Sequence, residues 1–313
     1  MYALKRHMSS TQLPELSIIL LNYKTKDITL EAVEHVFDNK TSRDNWQVIV
    51  VDNGSEDGIG EELKRKFPQV EFYQTGENLG FGKGNNFARP YTKGETVLFL
   101  NNDAFVVDDV IQKSLEFLHS DPQIGALNCR IELPNGKLDY SSHRGFPTPW
   151  NSLMYFLGFA KLFPKSKFFA GYTATYLDIS KTHEMDCGCG AFLMVRRDVC
   201  DKIGWWDTDY FWNGEDIQFF YDVKKLGYKV YFYVGGKVIH HKGSSSGLQK
   251  TAKQKVPRER RMAAALHAAQ AMRIFVKKNY YPHMLPLWRD FVLFGVNALE
   301  KYRISKIKTG LNY

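Results

Sequence analysis

The residues able to do chemistry in this 313-residue chain stand where apolar runs stop. The stretch "VLFLNNDAFVV", residues 97–107, reads as a buried strand from Val97 to Leu100. It then sets down two amides and a carboxylate, Asn101, Asn102 and Asp103, before apolar residues resume. "LSIILLN" ends likewise in Asn22-Tyr23, and "WQVIVVD" in Asp52-Asn53. Any one of these suits a turn, since Asn and Asp hydrogen-bond their own backbone. Together they line up polar groups on one edge of a sheet, the edge where open α/β folds bind ligands. Between the second and third, "ENLGFGKGNNFA" carries Gly80, Gly82 and Gly84 ahead of a helix. Glycines let backbone approach a ligand, and a helix N-terminus favours an anion. The string is neither G-x-G-x-x-G nor a P-loop. Further on, Glu215 and Asp216 in "NGEDIQFF" open a helix, where acids meet the dipole. His240 and His241 follow a short strand, and a neutral imidazole can complete a metal shell.

The elements that must position these groups alternate. "LSIILLN", "WQVIVVD", "VEFYQ" and "TVLFLN" predict four strands, separated by "DITLEAVEHVFDN", "IGEELKRKF" and a helix starting in "GKGNNFARPY". Nearly continuous apolar strands between helices predict a mostly parallel sheet covered on both faces. "VVDDVIQKSLEFLHS" predicts an amphipathic helix and "IGALNCRIEL" another strand. Order loosens over residues 134–184, rich in Pro, Gly and aromatics, as in a lid or binding loop. "GAFLMVRRDVCDKIG" then reads as strand and helix, and "GEDIQFFYDVKKLGYKVYFYV" as helix and strand. From about residue 258 two helices flank "YYPHMLP". The expected organisation is an extension over 1–14, an α/β domain over 15–245 and a basic helical region over 246–313.

A hydrophobic share of 44% with 24% charged residues is ordinary for a globular protein. No run of eighteen apolar residues predicts a spanning helix, and "MYALKRHMSSTQLPE" lacks the apolar centre of a secretory signal. Four cysteines, with only Cys187 and Cys189 close together, predict no disulfide framework and no zinc site, so the cytoplasm is expected. The formal charge of +8 is partly local: "KTAKQKVPRERR" holds six Lys or Arg against one Glu, and "KYRISKIKTG" adds four more. Such clusters suit anionic membrane or nucleic acid, or are simply solvated faces.

The strings "ILLNYKT", "VIVVDNGSEDG", "NLGFGKGNN", "LFLNND", "GCGAFLMVRRDV" and "FWNGEDIQFFYDVKKLGYKVYF" resemble a family 2 glycosyltransferase, in the branch containing bacterial rhamnosyltransferases. The likeness covers roughly residues 15–245. It implies a GT-A fold with a helical C-terminal extension, inversion at the anomeric carbon, a nucleotide-sugar donor and Mg²⁺ or Mn²⁺. By resemblance, Asn101-Asn102-Asp103 stands at the D-x-D-like triplet, with Asp103 the metal ligand and Asn in the first place. Asp52 and Asn53 would meet the uracil or thymine of a UDP- or dTDP-sugar, flanked by Leu21, Asn22 and Tyr23. Gly80, Gly82, Gly84 and Asn86 would lie beside ribose and diphosphate. Asp216 aligns with the general base, with Glu215 its competitor. His240 aligns with a histidine that contacts metal or diphosphate, and Lys242 with Ser244 to Ser246 would bind phosphate. Gly188, Cys189, Gly190 and Trp212 would face acceptor and transferred sugar. The family's pattern continues with Asp and Arg where this chain has Gln218 and Asp222.

The resemblance implies a saccharide acceptor, lipid-linked in this branch, in bacterial cell-surface polysaccharide synthesis. An anionic surface at the inner face of the plasma membrane would explain the basic clusters and the aromatic segment 146–176. Nucleic acid is not an expected partner. Two rival readings are a nucleotide-sugar-binding module without catalysis, suggested by Asn101, Gln218 and Asp222, and a nucleic-acid-binding protein, suggested by charge alone.

Overall fold

The computed structural model describes residues 13–40, 45–242 and 258–309. Most of the N-terminal extension, Ser244 to Ser246 and part of the basic run 250–261 lie outside the described residues. The first half runs β1 (Leu16–Asn22), α1 (Lys26–Asp38), β2 (Trp46–Asp52), α2 (Ile59–Lys66), β3 (Glu71–Gln74), α3 (Phe81–Asn86) and β4 (Thr96–Asn101). Then come β5 (Ala104–Val107), α4 (Val110–His119), β6 (Ile124–Glu132), α5 (Pro149–Phe156), α6 (Phe159–Leu162) and β7 (His183–Glu184). The chain ends with β8 (Phe192–Arg196), α7 (Arg197–Ile203), α8 (Glu215–Lys225), β9 (Lys229–His240), α9 (Arg258–Asn279) and α10 (Pro286–Lys308).

One sheet has the order β3-β2-β1-β4-β8-β6-β9-β5, with β7 added against β9. Its first four strands are parallel, which is why they read as apolar runs rather than alternating ones. Successive side chains still point to opposite faces. Ile18, Leu20, Val48, Val50 and Leu98 pack with α1, α2 and α4, while Ile19, Ile49, Val51, Val97 and Phe99 pack with α7 and α8. Burying each such side chain is worth roughly 1.5–3 kcal/mol, which fixes the register. Beyond β4 the sheet turns mixed: β8 is antiparallel to β4 and β6, and β6 is parallel to β9.

Two features aim the sheet at a ligand. β1 lies between β2 and β4, so the strand order reverses there and the carboxyl ends of β1 and β4 part. Such a switch point opens a crevice. The second feature corrects the sequence reading. Val106 and Val107, expected to begin a helix, instead end β5, which runs antiparallel to β9 at the far edge with Ala104 opposite His240. Asn102 and Asp103 therefore carry the chain from the centre of the sheet to its rim. That is why polar residues interrupt the apolar run.

Candidate active site

The polar strand ends first serve one another. Asn22 donates from Nδ2 to Asp52 Oδ1 at 2.9 Å, Ser55 Oγ at 3.0 Å and Asp57 Oδ2 at 3.1 Å. Its Oδ1 accepts from Thr29 at 2.9 Å. Asp52 Oδ2 accepts the Ser55 N–H at 3.2 Å, so its carboxylate closes its own loop and does not line the cleft described below. Asn102 donates to the hydroxyls of Thr25 at 2.6 Å and Thr29 at 2.8 Å. Placing Asp52 and Asn22 against a base is thus not what the geometry displays; they join the ends of β1 and β2. Their neighbours Leu21, Tyr23, Asn53, Asn101 and Asn102 do line the cleft.

Asn53 holds the glycine-rich loop. Its Nδ2 donates to Gly80 O at 3.1 Å and its Oδ1 accepts the Leu79 N–H at 3.0 Å. Gly80 has φ +82°, and a Cβ there would meet the carbonyl of Phe211, so the cleft wall forms only with glycine. Gly82 and Gly84 face inward instead, against Trp206 and Leu21. Asn86 also turns in: its amide donates to Trp206 O at 2.8 Å and accepts the Trp206 N–H at 3.0 Å. These three position the loop without lining the cleft, a correction to their expected contact with a ligand.

Asp103 is 1% exposed yet reaches the cleft. His240 Nε2 lies 3.2 Å from Asp103 Oδ1, and His240 Nδ1 lies 3.1 Å from Asp139 Oδ2. Lys242 Nζ closes on Asp139 Oδ1 at 3.0 Å. Burial works to lower the imidazole pKa, but hydrogen bonds and charge from Asp103 and Asp139 outweigh it and raise it to about 9. Asp139, despite burial, is held well below the usual carboxylate range by His240, Lys242 and Ser141. His240 thus stands beside Asp103, as expected, and neutralises it as an imidazolium. His241 turns away and lies tilted against the ring of Phe105.

The second acidic pair sits at the start of α8. Asp216 Oδ2 accepts from Arg144 Nη2 at 2.8 Å, and Oδ1 accepts the Ile217 N–H at 2.8 Å. Arg144 also donates to Gly188 O at 2.7 Å, and its backbone pairs with Cys187. Burial, then repulsion from Asp216, lifts the Glu215 carboxyl to about 8. Its Oε2 has no hydrogen-bond partner among the described residues. Glu215 and Asp216 both line the cleft, as do Cys189, Gly190 and Trp212. Gly188 does not. The space it leaves is filled by Asn128, whose Oδ1 accepts the Cys189 N–H at 2.6 Å and whose amide donates to the Phe192 carbonyl. Gly188 therefore makes room for a side chain of the protein rather than for a sugar. Burial pushes the thiol of Cys187 up to about 12 and that of Cys189 to about 11, so both stay protonated packing groups.

Arg144 is the residue the sequence did not disclose. Its partner is 72 positions away, and it lies in the irregular segment, where no periodicity marks it. The C-terminal helices hold a second surprise. Ala268, Ala271, Met272 and Phe275 of α9 and Arg303 of α10 line the same cleft. Gln218 and Asp222, where the chain departs from the expected pattern, dock α9. Gln218 donates to Asp222 at 3.0 Å and accepts from Asn279 at 2.8 Å and Tyr210 at 3.1 Å. The basic helical region is thus a wall of the site.

All these walls enclose one cleft of about 820 Å³. It brings together Asp103, His240, Glu215 and Asp216, and leaves Asp52 behind the strand ends. Among the described residues no group of three His, Cys, Asp or Glu side chains converges as a complete metal site. The buried carboxylate of Asp103 at the cleft nevertheless suits a hard divalent cation that takes its other ligands from phosphate and water.

A model of "Glycosyl transferase family 2" matches residues 17–204. The chain belongs to this family. It is 27% identical over 212 residues to N-acetylglucosaminyl-diphospho-decaprenol L-rhamnosyltransferase of Mycobacterium tuberculosis, covering 64% of this chain and 68% of that protein. It is 25% identical over 227 residues to the low-salt glycan biosynthesis hexosyltransferase Agl10 of Haloferax volcanii, covering 70% and 64%. In fold it is similar to a mannosyltransferase of Pyrobaculum calidifontis solved with GDP-Man and Mn²⁺, with a TM-score of 0.58 at 17% identity over 96% of this chain and 74% of that one. The glycosyltransferase has a GT-A fold, with a helical C-terminal extension that closes one side of its cleft.

Proposed function

We propose that this glycosyltransferase moves a hexose, rhamnose or a relative, from a UDP- or dTDP-sugar to a saccharide acceptor with inversion at the anomeric carbon. The acceptor is lipid-linked, the reaction belongs to bacterial cell-surface polysaccharide synthesis, and it runs on the cytoplasmic side of the membrane. The observation that carries this reading is the meeting of Asp103–His240 and Arg144–Asp216 in one cleft.

Asp103 would hold Mg²⁺ or Mn²⁺ against the donor's diphosphate, and His240 would join it on shedding the proton that pairs it with Asp103. A cation there supplies neutralisation of the leaving group's charge. The glycine loop at Gly80, shaped by Asn53, offers backbone to the donor, and Leu21, Tyr23 and Asn101 border it. Asp216 takes the proton of the acceptor hydroxyl as that oxygen attacks. A single-step inversion needs one such base on the acceptor side. Arg144 keeps the Asp216 carboxylate oriented through a 2.8 Å ion pair. Glu215, with its pKa raised to about 8, carries its proton at neutral pH and is the poorer base.

A thermal-shift screen of UDP-, dTDP- and GDP-sugars with Mn²⁺ tests the donor. Stabilisation by a UDP- or dTDP-sugar that disappears with Asp103→Asn is the expected result. Equal stabilisation of wild type and variant, with or without Mn²⁺, would sink the metal part.

A further inference from the structure

The structure leaves two apolar surfaces exposed among the described residues. On α10, Leu287, Phe291 and Phe294 recur at helical spacing on one face, with Phe294 71% and Leu287 80% exposed. The opposite face carries buried Val296 and Ile307, and Asn297 and Glu300 bind Arg273 of α9. α9 therefore covers one side of α10 only. The second surface is the α5–α6 segment, where Leu157, Leu162, Phe163 and Phe168 stand exposed. α5 also turns Ser152, Tyr155 and Phe156 into the cleft, and α10 contributes Arg303. The α5–α6 segment thus borders the cleft, while the apolar end of α10 lies about two and a half turns from Arg303 and on the other side of that helix.

Charge says what covers them. Residues 140–177 contain no Asp or Glu, and Lys161, Lys165 and Lys167 lie exposed among the aromatics. α10 holds five Lys or Arg against two acids. The interleaving of apolar residues with cations is closest in the α5–α6 segment; on α10 four of the five cations, Lys301, Arg303, Lys306 and Lys308, follow the apolar stretch, which itself carries Arg289 and Asp290. A bilayer with anionic headgroups suits rings and cations alike, because rings sink to the acyl boundary while lysines stay at the phosphates. No helix among the described residues is long and apolar enough to cross a membrane.

We infer that the α5–α6 segment and the outward face of α10 together seat this protein on an anionic bilayer, with the cleft opening at the headgroup level. The inference deepens the proposed function, since it says how a lipid-linked acceptor would reach Asp216.

The test is sedimentation of the full chain with vesicles of phosphatidylcholine alone or mixed with phosphatidylglycerol, at rising salt. Binding to the mixed vesicles that weakens with salt is expected. Lys161→Glu/Lys165→Glu/Lys167→Glu should weaken it roughly a hundredfold, given about fivefold per surface lysine. Leu162→Ser/Phe163→Ser and Phe291→Ser/Phe294→Ser should each weaken it about tenfold. Each variant should keep the wild-type melting temperature, which separates lost docking from lost folding. Equal affinity for neutral vesicles, or variants that bind as wild type, overturns the inference. So does light scattering that shows a dimer which Phe291→Ser/Phe294→Ser dissolves while vesicle binding persists, because the face then belongs to a second copy. None of these readouts uses a nucleotide sugar, so a failed donor screen and a failed docking test are told apart.

Discussion

The guanidinium of Arg144 and the carboxylate of Asp216 meet at 2.8 Å, each side chain only 17% exposed. Removing one partner of such a pair strands the other's charge, typically at about 3–5 kcal/mol. Arg144→Met is therefore expected to lower the melting temperature and kcat together. Arg144→Lys should recover part of both. A lowered melting temperature with unchanged kcat would reduce Arg144 to a fold-supporting role.

Asp216→Asn keeps shape and removes the base. Turnover should fall on the order of 10²–10⁴-fold, while the thermal shift caused by nucleotide remains. Glu215→Gln, by contrast, imitates the protonated form and should stay within about tenfold of wild type. The reverse ranking in a steady-state assay would transfer the base role to Glu215.

Glu215 also makes a prediction about stability. Its folded pKa of about 8 lies above the ordinary 4.5, so the folded state holds a proton that the unfolded state releases between those values. Stability contributed by the protonated form is full below pH 4.5 and is lost as pH rises toward 8. Glu215→Gln should then melt a few degrees above wild type at pH 8.5 and close to it at pH 4.5, by differential scanning fluorimetry. No difference at either pH would mean that the buried carboxyl is relieved by something else.

Chelation tests the cation. EDTA should abolish transfer, and Mn²⁺ or Mg²⁺ should restore it. Asp103→Asn should not be rescued at the same concentrations. Undiminished turnover in chelator would leave Asp103 as a partner of His240 only.

The sequence announced the parallel half of the sheet because β1, β2 and β4 are buried on both faces and their apolar runs stop abruptly. It hid β5, because Val106-Val107 stands beside Asp108-Asp109 and reads as the first turn of a helix. Residues that line the cleft were legible where an element ends at it, as at Asn101, Asp103, Glu215 and Asp216. Others were misread where polar side chains face each other. Asn22 and Asp52 have the composition of a ligand shell but satisfy their own strand ends. Gly188 looked like room for a sugar until Asn128, 61 positions from the Cys189 it braces, occupied that room. Pairings at such separations leave no periodic trace. Arg144 shows the same blindness.

The stretch matched by the family model stops at residue 204, before Asp216, His240 and the helix that supplies Ala271 and Phe275. Floor and far wall of the cleft therefore come from separate stretches of chain. Grafting a related enzyme's C-terminal third onto this one would exchange what sits opposite the donor while keeping the Gly80 loop. Such a chimera also needs new residues at Gln218 and Asp222, because Gln218, braced by Asp222, is the socket into which Asn279 of α9 plugs.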